Sequence, residues 1–175
     1  RPVPAMLRSI ADTLERERAA TLDLARTVPE AVCDALPAGL AQSPCWIVCH
    51  IGLADARQLG TLTTGKPGGD DDGYFQEFGP GSDVSHARER MAARYGSWPA
   101  AIEAVAANHA RLVDAVRTAD PDRLAGAHPN PRVRDFFPTL AHNVAYAVWH
   151  EGHHGGQLRA WMRAAREAGL LLPRT

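Results

Sequence analysis

The sequence predicts an all-α fold, a four-helix bundle, and three observations carry the prediction. Four long stretches repeat apolar residues at three-and-four spacing, no stretch alternates as a strand would, and helix start and stop residues bound the stretches. With 175 residues, 45% hydrophobic and 22% charged, the chain can bury a core of its own, and residues 1–175 read as one domain.

The first helix follows from Leu7, Ile10, Leu14, Thr21, Leu24 and Val28 and ends at Pro29, with one more turn expected over 31–36 before Pro37. The second opens at Ser43-Pro44, an N-cap followed by proline at the first helical position, and carries Trp46, Ile47, His50, Ile51, Leu53 and Ala54 before fading at Gly60. The third opens at Ser97, with Pro99 in its first turn, and its seam is Trp98, Ile102, Val105, His109, Leu112 and Val116, ending near Asp120-Pro121. The fourth spans about 138–168, with Gly169 as a left-handed stop and Pro173 beyond it. Residues 61–96 form a crossover longer than a bundle link needs, so it packs over one end or shapes a pocket mouth. Its aromatic residues, Tyr74, Phe75, Phe78 and Tyr95, mark an ordered roof rather than a linker. A short helix over 86–94 is expected within it, and "GKPGGDDDG" is expected to be a mobile, dispensable tip.

Composition removes several classes of function. A net charge of −1 gives no basic field for nucleic acid, and no apolar run approaches the ~20 residues that span a bilayer. The opening stretch "RPVPAMLRSIADTLERERAA" is too charged for a secretory signal, and a start at Arg1 suggests trimming or a fragment. Cys33, Cys45 and Cys49 are odd in number and lack framework spacing, which reads as reduced thiols in a cytoplasm. Gly60-x-x-x-x-Gly65-Lys66 nearly spells a phosphate-binding loop, but a helix precedes it and proline and glycines follow the lysine. Asp70-Asp71-Asp72-Gly73 lacks the alternating oxygen ligands of a calcium loop and reads as a solvated turn.

The chemistry concentrates in "WHEGHHGGQ", residues 149–157, which holds three of the eight histidines. His150 and His154 lie one turn apart on one helix face, and Asn143, Ala147, Gln157 and Trp161 extend that face toward the interior. Two neighbouring imidazoles in a core are costly unless they share a proton or a cation, and a divalent metal satisfies both. An open site usually takes three protein ligands. His50, between Trp46 and Leu53, is the best third, and His109 on the third helix competes with it, although a core or supporting place suits His109 better. His153 is rotated by about 100° from His154 and is expected beside the site or at an interface. His86, His128 and His142 have no distinctive setting. Gln157 is placed to orient a ligand imidazole or a substrate, and Gly155 and Gly156 allow a backbone or ligand to approach closely. Cys49 reads as a small buried residue rather than a nucleophile. His150-Glu151-x-x-His154 also spells the zinc-protease helix motif with Glu151 as base, but no later ligand motif and no substrate-aligning sheet accompany it.

"SPCWIVCHIGLADARQL" and, roughly a hundred residues later, "FPTLAHNVAYAVWHEGHHGGQL" resemble the DinB/YfiT-like metalloenzyme superfamily, as do "YFQEFGPGS" and "RYGSWPAAIEAVAANHARLVDAV". The resemblance covers nearly the whole chain. It implies an up-up-down-down four-helix bundle holding one divalent ion, zinc or nickel foremost and iron as a further option, on His50, His150 and His154. It implies a homodimer as well. Characterised relatives include S-transferases and isomerases that use low-molecular-weight thiols such as mycothiol or bacillithiol. Related iron enzymes that join sulfur to histidine derivatives resemble H-x-x-x-H-x-E, and this chain has Gly156 where that glutamate would stand. The expected function is therefore that of a metal-dependent, thiol-using enzyme with a small-molecule substrate and neither nucleic acid nor membrane as partner. A hydrolase or isomerase using metal-bound water, or a non-catalytic metal or small-molecule binding protein, is the alternative. Gln157, His153, His109 and Asn143 are the residues expected to support the ligands or touch the substrate.

Overall fold

A computed structural model describes residues 5–70 and 72–172 of the chain. Among these residues there are seven α-helices, α1 (Ala5–Arg26), α2 (Pro44–Thr64), α3 (Tyr74–Phe78), α4 (Ala87–Tyr95), α5 (Trp98–Thr118), α6 (Pro121–Ala125) and α7 (Leu140–Glu167), and no strand. Single 3-10 turns occur at Glu30–Val32 and Pro131–Val133, and one isolated bridge joins Ala127 to Thr139. No helix among them is long and apolar enough to cross a membrane.

Side-chain caps fix where the long helices begin. Ser43 Oγ accepts from the Trp46 amide at 3.3 Å, Ser97 Oγ from Ala100 at 3.3 Å and Thr139 Oγ1 from His142 at 3.4 Å, each satisfying an amide that has no partner within the first turn. α2 does not stop at Gly60. The backbone of Lys66 and Gly68 folds back so closely that a Cβ at Gly60 would lie 2.6 Å from it, so the glycine admits the returning chain and the helix runs on to Gly65. α7 ends as expected, with Gly169 at φ +73°. Pro173 lies outside the described residues.

Each of α1 and α2 packs along both α5 and α7, while α1 and α2 touch little. Trp98 at the start of α5 donates its indole N–H to the Val28 carbonyl just beyond α1, and Arg117 near its end pairs with Asp12 and Glu15 in the first half of α1. Trp161, late in α7, donates to the Ala35 carbonyl at that same far end. The Cys45 amide bonds to the Cys33 carbonyl there, and Leu62 at the other end of α2 packs in one cluster with Leu7 and Leu140. Hence α1 and α7 run one way and α2 and α5 the other, an up-down-down-up order. This corrects the expected up-up-down-down order. That order needs two long crossovers, whereas only the segment between α2 and α5 travels the length of the helices.

The crossover is tied down by its aromatic residues. Phe78 is fully buried, which contributes roughly 1.5–3 kcal/mol. The Tyr74 hydroxyl donates to the Cys49 carbonyl at 2.8 Å, in space left by Gly52, and the Tyr95 hydroxyl donates to Tyr74. The glycine- and aspartate-rich tip is not a free turn. Gly68 sits so close to the Ala56 carbonyl that a Cβ would lie 2.5 Å away, Asp72 caps the Tyr74 amide and pairs with Arg94, and Asp70 pairs with Arg57. Asp71 lies outside the described residues. Cys33, Cys45 and Cys49 are buried and free of disulfides; contact with Cys45 and then burial push the Cys33 thiol up, and in Cys45 the lowering by Cys33 is outweighed by contact with Cys49 and burial, which push it up as well.

Candidate metal centre

α2 presents Trp46, His50 and Arg57 to one side, and α7 faces it with His150, His154 and Gln157. Trp46 stacks flat on His50, with ring centroids 4.5 Å apart and 11° between planes, which fixes the imidazole against the helix. The Phe78 carbonyl can only accept, so His50 donates to it through Nδ1 at 2.7 Å and leaves Nε2 as a lone pair. That Nε2 lies 3.2 Å from His150 Nε2. His154 donates through Nδ1 to Gln157 Oε1 at 2.7 Å, which likewise frees its Nε2. One nitrogen of each of His50, His150 and His154 lies within 4.8 Å of the others. The three histidines are thus positioned to bind a metal ion.

Electrostatics agree with the geometry. Burial lowers all three histidines below their ordinary pKa, His150 to about 4 and His154 to about 3, with the neighbouring histidines adding to the effect in both. The set is therefore neutral at physiological pH, the state in which imidazole donates to a metal. Two nitrogens held about 2.1 Å from one ion at a tetrahedral angle are roughly 3.4 Å apart. The His50–His150 separation of 3.2 Å suits such an ion. At that distance His150 either donates from Nε2 to the His50 lone pair or shares an ion with it.

The other candidates separate clearly. Gln157 links two histidines, accepting from His154 and donating to His153 Nε2 at 3.2 Å. His153 is exposed and stacks on Trp149 at 5.2 Å. His109 is not brought to the cluster. It is buried in contact with Asp55 and the Leu14 carbonyl, both at 3.1 Å. Asn143 places its amide 3.3 Å from His128 Nε2, and His128, which has no distinctive setting in the sequence, is buried. Gly155 admits α1, since a Cβ there would meet Thr21 Oγ1 at 2.9 Å, whereas nothing approaches Gly156. The close approach expected of both glycines holds for Gly155 alone.

Sequence reasoning missed a buried ionic network behind the histidines. Arg18 of α1 grips Asp55 of α2 with Nη1 at 2.6 Å and Nη2 at 3.1 Å, and Glu151 of α7 with Nε at 2.8 Å. Burial alone would raise the Asp55 carboxyl, but the Arg18 charge and the His109 hydrogen bond hold it below the usual carboxylate range. Glu151 therefore points at Arg18, not into the site, and the protease arrangement is absent.

The histidines form part of the wall of a cavity of about 660 Å³. The crossover contributes Phe75, Pro80 and Val84 to it, and the link before α7 contributes Phe136 and Phe137. Arg57 lines it too, with its guanidinium 4.4 Å over the Phe75 ring, and no aspartate or glutamate among the described residues does. Neither the curated proteins nor the solved structures give a significant match to the chain. Among protein families, the DinB superfamily matches residues 13–158, a span that takes in all three clustered histidines, Gln157 and most of the four long helices, and the chain belongs to that superfamily.

Proposed function

We propose that this protein is a divalent-metal-dependent enzyme, built as a single DinB-type four-helix bundle, that uses a low-molecular-weight thiol in an S-transferase or isomerase reaction on a small molecule. His50, His150 and His154 would hold the ion, for which zinc or nickel suits an all-imidazole donor set best and iron is the further option. The observation that carries the reading is the convergence of three neutral imidazoles on the wall of a largely apolar cavity. Bound there, the ion would supply Lewis acidity that brings a thiol's deprotonation toward neutral pH.

The chain's own residues supply the rest. The Phe78 carbonyl and Gln157 hold two of the imidazoles in the tautomer that presents Nε2, and Trp46 fixes the plane of His50. Phe75, Phe137 and Val84 give the cavity apolar walls. Among the described residues the lining offers no carboxylate to take a proton from water, and Glu151 is engaged elsewhere. A nucleophile that ionises with little help fits this lining better than water does, and a thiol, with an ordinary pKa near 8.5, is one.

Metal analysis of untagged protein, followed by cobalt substitution and titration with mycothiol, bacillithiol and glutathione, tests the proposal. Stoichiometric metal and intense sulfur-to-cobalt charge-transfer bands are the expected result. Metal without those bands, and a rate that rises with ionisation of bound water near pH ~7, would instead indicate a hydrolase. Metal with no reaction across thiols and electrophiles would leave a binding protein.

A further inference from the structure

The cavity has a polar end that the thiol chemistry leaves unused. Arg57 follows His50 by seven residues on α2, about 10 Å along the helix axis, and Gln58 lies beside it in the same wall. Gln58 is nine-tenths buried, yet its Oε1 has no hydrogen-bond partner among the described residues. A buried polar atom left without a partner is uncommon in a folded chain and calls for a donor from elsewhere. Arg57 uses Nη1 to pair with Asp70, and both side chains of that pair are partly exposed at the rim. Its other donors have no partner among the described residues. A second, smaller cavity of about 150 Å³ shares Arg57, Gln58, Phe137 and Asn143 with the first, so the polar end opens into further space. Past the histidines, Trp46 and Val84 line the cavity together with Gln42 and Ser82, while its middle is walled by Leu53, Phe75, Tyr146 and the packed pair Phe136 and Phe137.

We infer that Arg57 and Gln58 form the anchoring end of this cavity, and that the small molecule acted on carries a carboxylate with a neighbouring hydroxyl or amino group. That end lies roughly 10 Å from the atom that meets the histidines, across an apolar or aromatic body. The inference rests on the reading of this cavity as the site. Arginine presents a planar fork of donors that matches a carboxylate, the amide of Gln58 accepts from the adjacent hydroxyl or amine once it turns its buried oxygen to the cavity, and apart from Asp70 no aspartate or glutamate among the described residues stands against the anion. Asp70 is then the resident competitor. Rim pairs as exposed as Arg57–Asp70 are weak and give way to a better-placed carboxylate.

Calorimetric titration with 4-phenylbutyrate, 2-hydroxy-4-phenylbutyrate and 4-phenylbutanamide tests the inference, each run on zinc-loaded and on metal-free protein. The acid should bind at least tenfold tighter than the amide in both forms, and the hydroxyl should add a further gain that Gln58→Leu removes. Arg57→Gln should erase the preference for acid over amide. Asp70→Asn should strengthen binding of the acids severalfold and leave the amide unchanged, an effect of opposite sign that mere loss of structure cannot produce. A preference that disappears with the metal and survives Arg57→Gln would place the anion on the metal and overturn the inference, leaving the metal centre intact. A preference kept by protein that binds no metal would uphold the anchor and sink the metal centre. Equal binding of acid and amide, or no binding of any probe at millimolar concentration, overturns the anchor.

Discussion

Replacing Arg18 with methionine, which keeps the length and removes the charge, should be the most damaging single change behind the site. Arg18 makes four short contacts, two with Asp55 at 2.6 and 3.1 Å and two with Glu151 Oε2 at 2.8 and 2.7 Å, and all three side chains are at least nine-tenths buried. At an effective dielectric constant of 20 and a charge separation near 4 Å, each pair is worth ~4 kcal/mol, which the cost of drying three ions largely offsets. Removing only the cation forfeits the attraction and leaves two dry carboxylates, so a loss of about 3–5 kcal/mol at pH 8 is expected. That is a large share of the roughly 5–15 kcal/mol that holds a domain folded. The sign of the pH dependence follows. In the native protein the Asp55 carboxyl is held down, so its contribution is lost only as pH falls below the ordinary carboxylate range. In the variant, burial without the Arg18 charge raises the folded pKa of Asp55, and stability then declines as pH rises above the unfolded value of ~3.9, by up to about 1.4 kcal/mol per pH unit while Asp55 folds protonated. Urea unfolding of both proteins at pH 5 and pH 8 measures this, with the difference between them expected to shrink markedly at pH 5. A loss under 1 kcal/mol at pH 8, or the same loss at both pH values, would refute the account.

The remaining predictions concern the centre and its helix. His50→Ala, His150→Ala and His154→Ala should each abolish stoichiometric metal binding, measured by elemental analysis, with helical dichroism largely kept. His109→Ala should keep its metal and lose about 1–3 kcal/mol of stability, because it strips partners from Asp55 and the Leu14 carbonyl. Metal-free protein should lose stability as pH falls from the unfolded histidine value of ~6.5 toward 4. Over that window the unfolded chain takes up protons that His150 (about 4) and His154 (about 3) refuse, and thermal melts of His154→Gln should show a shallower fall. Gly155→Val should cost about 1–3 kcal/mol by forcing α1 from α7, whereas Gly156→Ala, with open space around it, should gain up to ~1 kcal/mol in chemical denaturation.

The helices were legible because capping and periodicity are local. Ser43-Pro44, Ser97 and Gly169 act within one turn of themselves, and the structure uses each of them. The short helices α3 and α6 were not legible, since five residues are too few to show a period. The pairing of His150 with His154 was readable for the same local reason, since the two share a face by spacing alone, whereas the approach of His50 is tertiary and was settled only by the family resemblance. Arg18 had left a signal that went unused. It continues the register of Leu7, Ala11 and Leu14 into Thr21 and Ala25, and a charge on the buried stripe implies buried partners on facing helices. Asp55 and Glu151 sit on the interior faces of α2 and α7 in the same way. The aspartate tip misled because Asp72 and Asp70 find Arg94 and Arg57 through tertiary contacts that composition cannot display. Helix direction depended on counting crossovers rather than helices.

The acceptor that orients His50 is the main-chain carbonyl of Phe78, not a side chain. An alanine scan of the crossover would pass over it, because every residue type at position 78 carries the same oxygen. What can remove it is a change in path: an inserted or deleted residue between α2 and α4, a proline that redirects the chain, or a ligand that draws the segment away. The centre is thereby guarded against point substitution at its support and vulnerable to a shift in frame length. Natural or engineered variants with altered spacing there, and unaltered histidines, are the ones in which metal affinity should part company with the histidine motif.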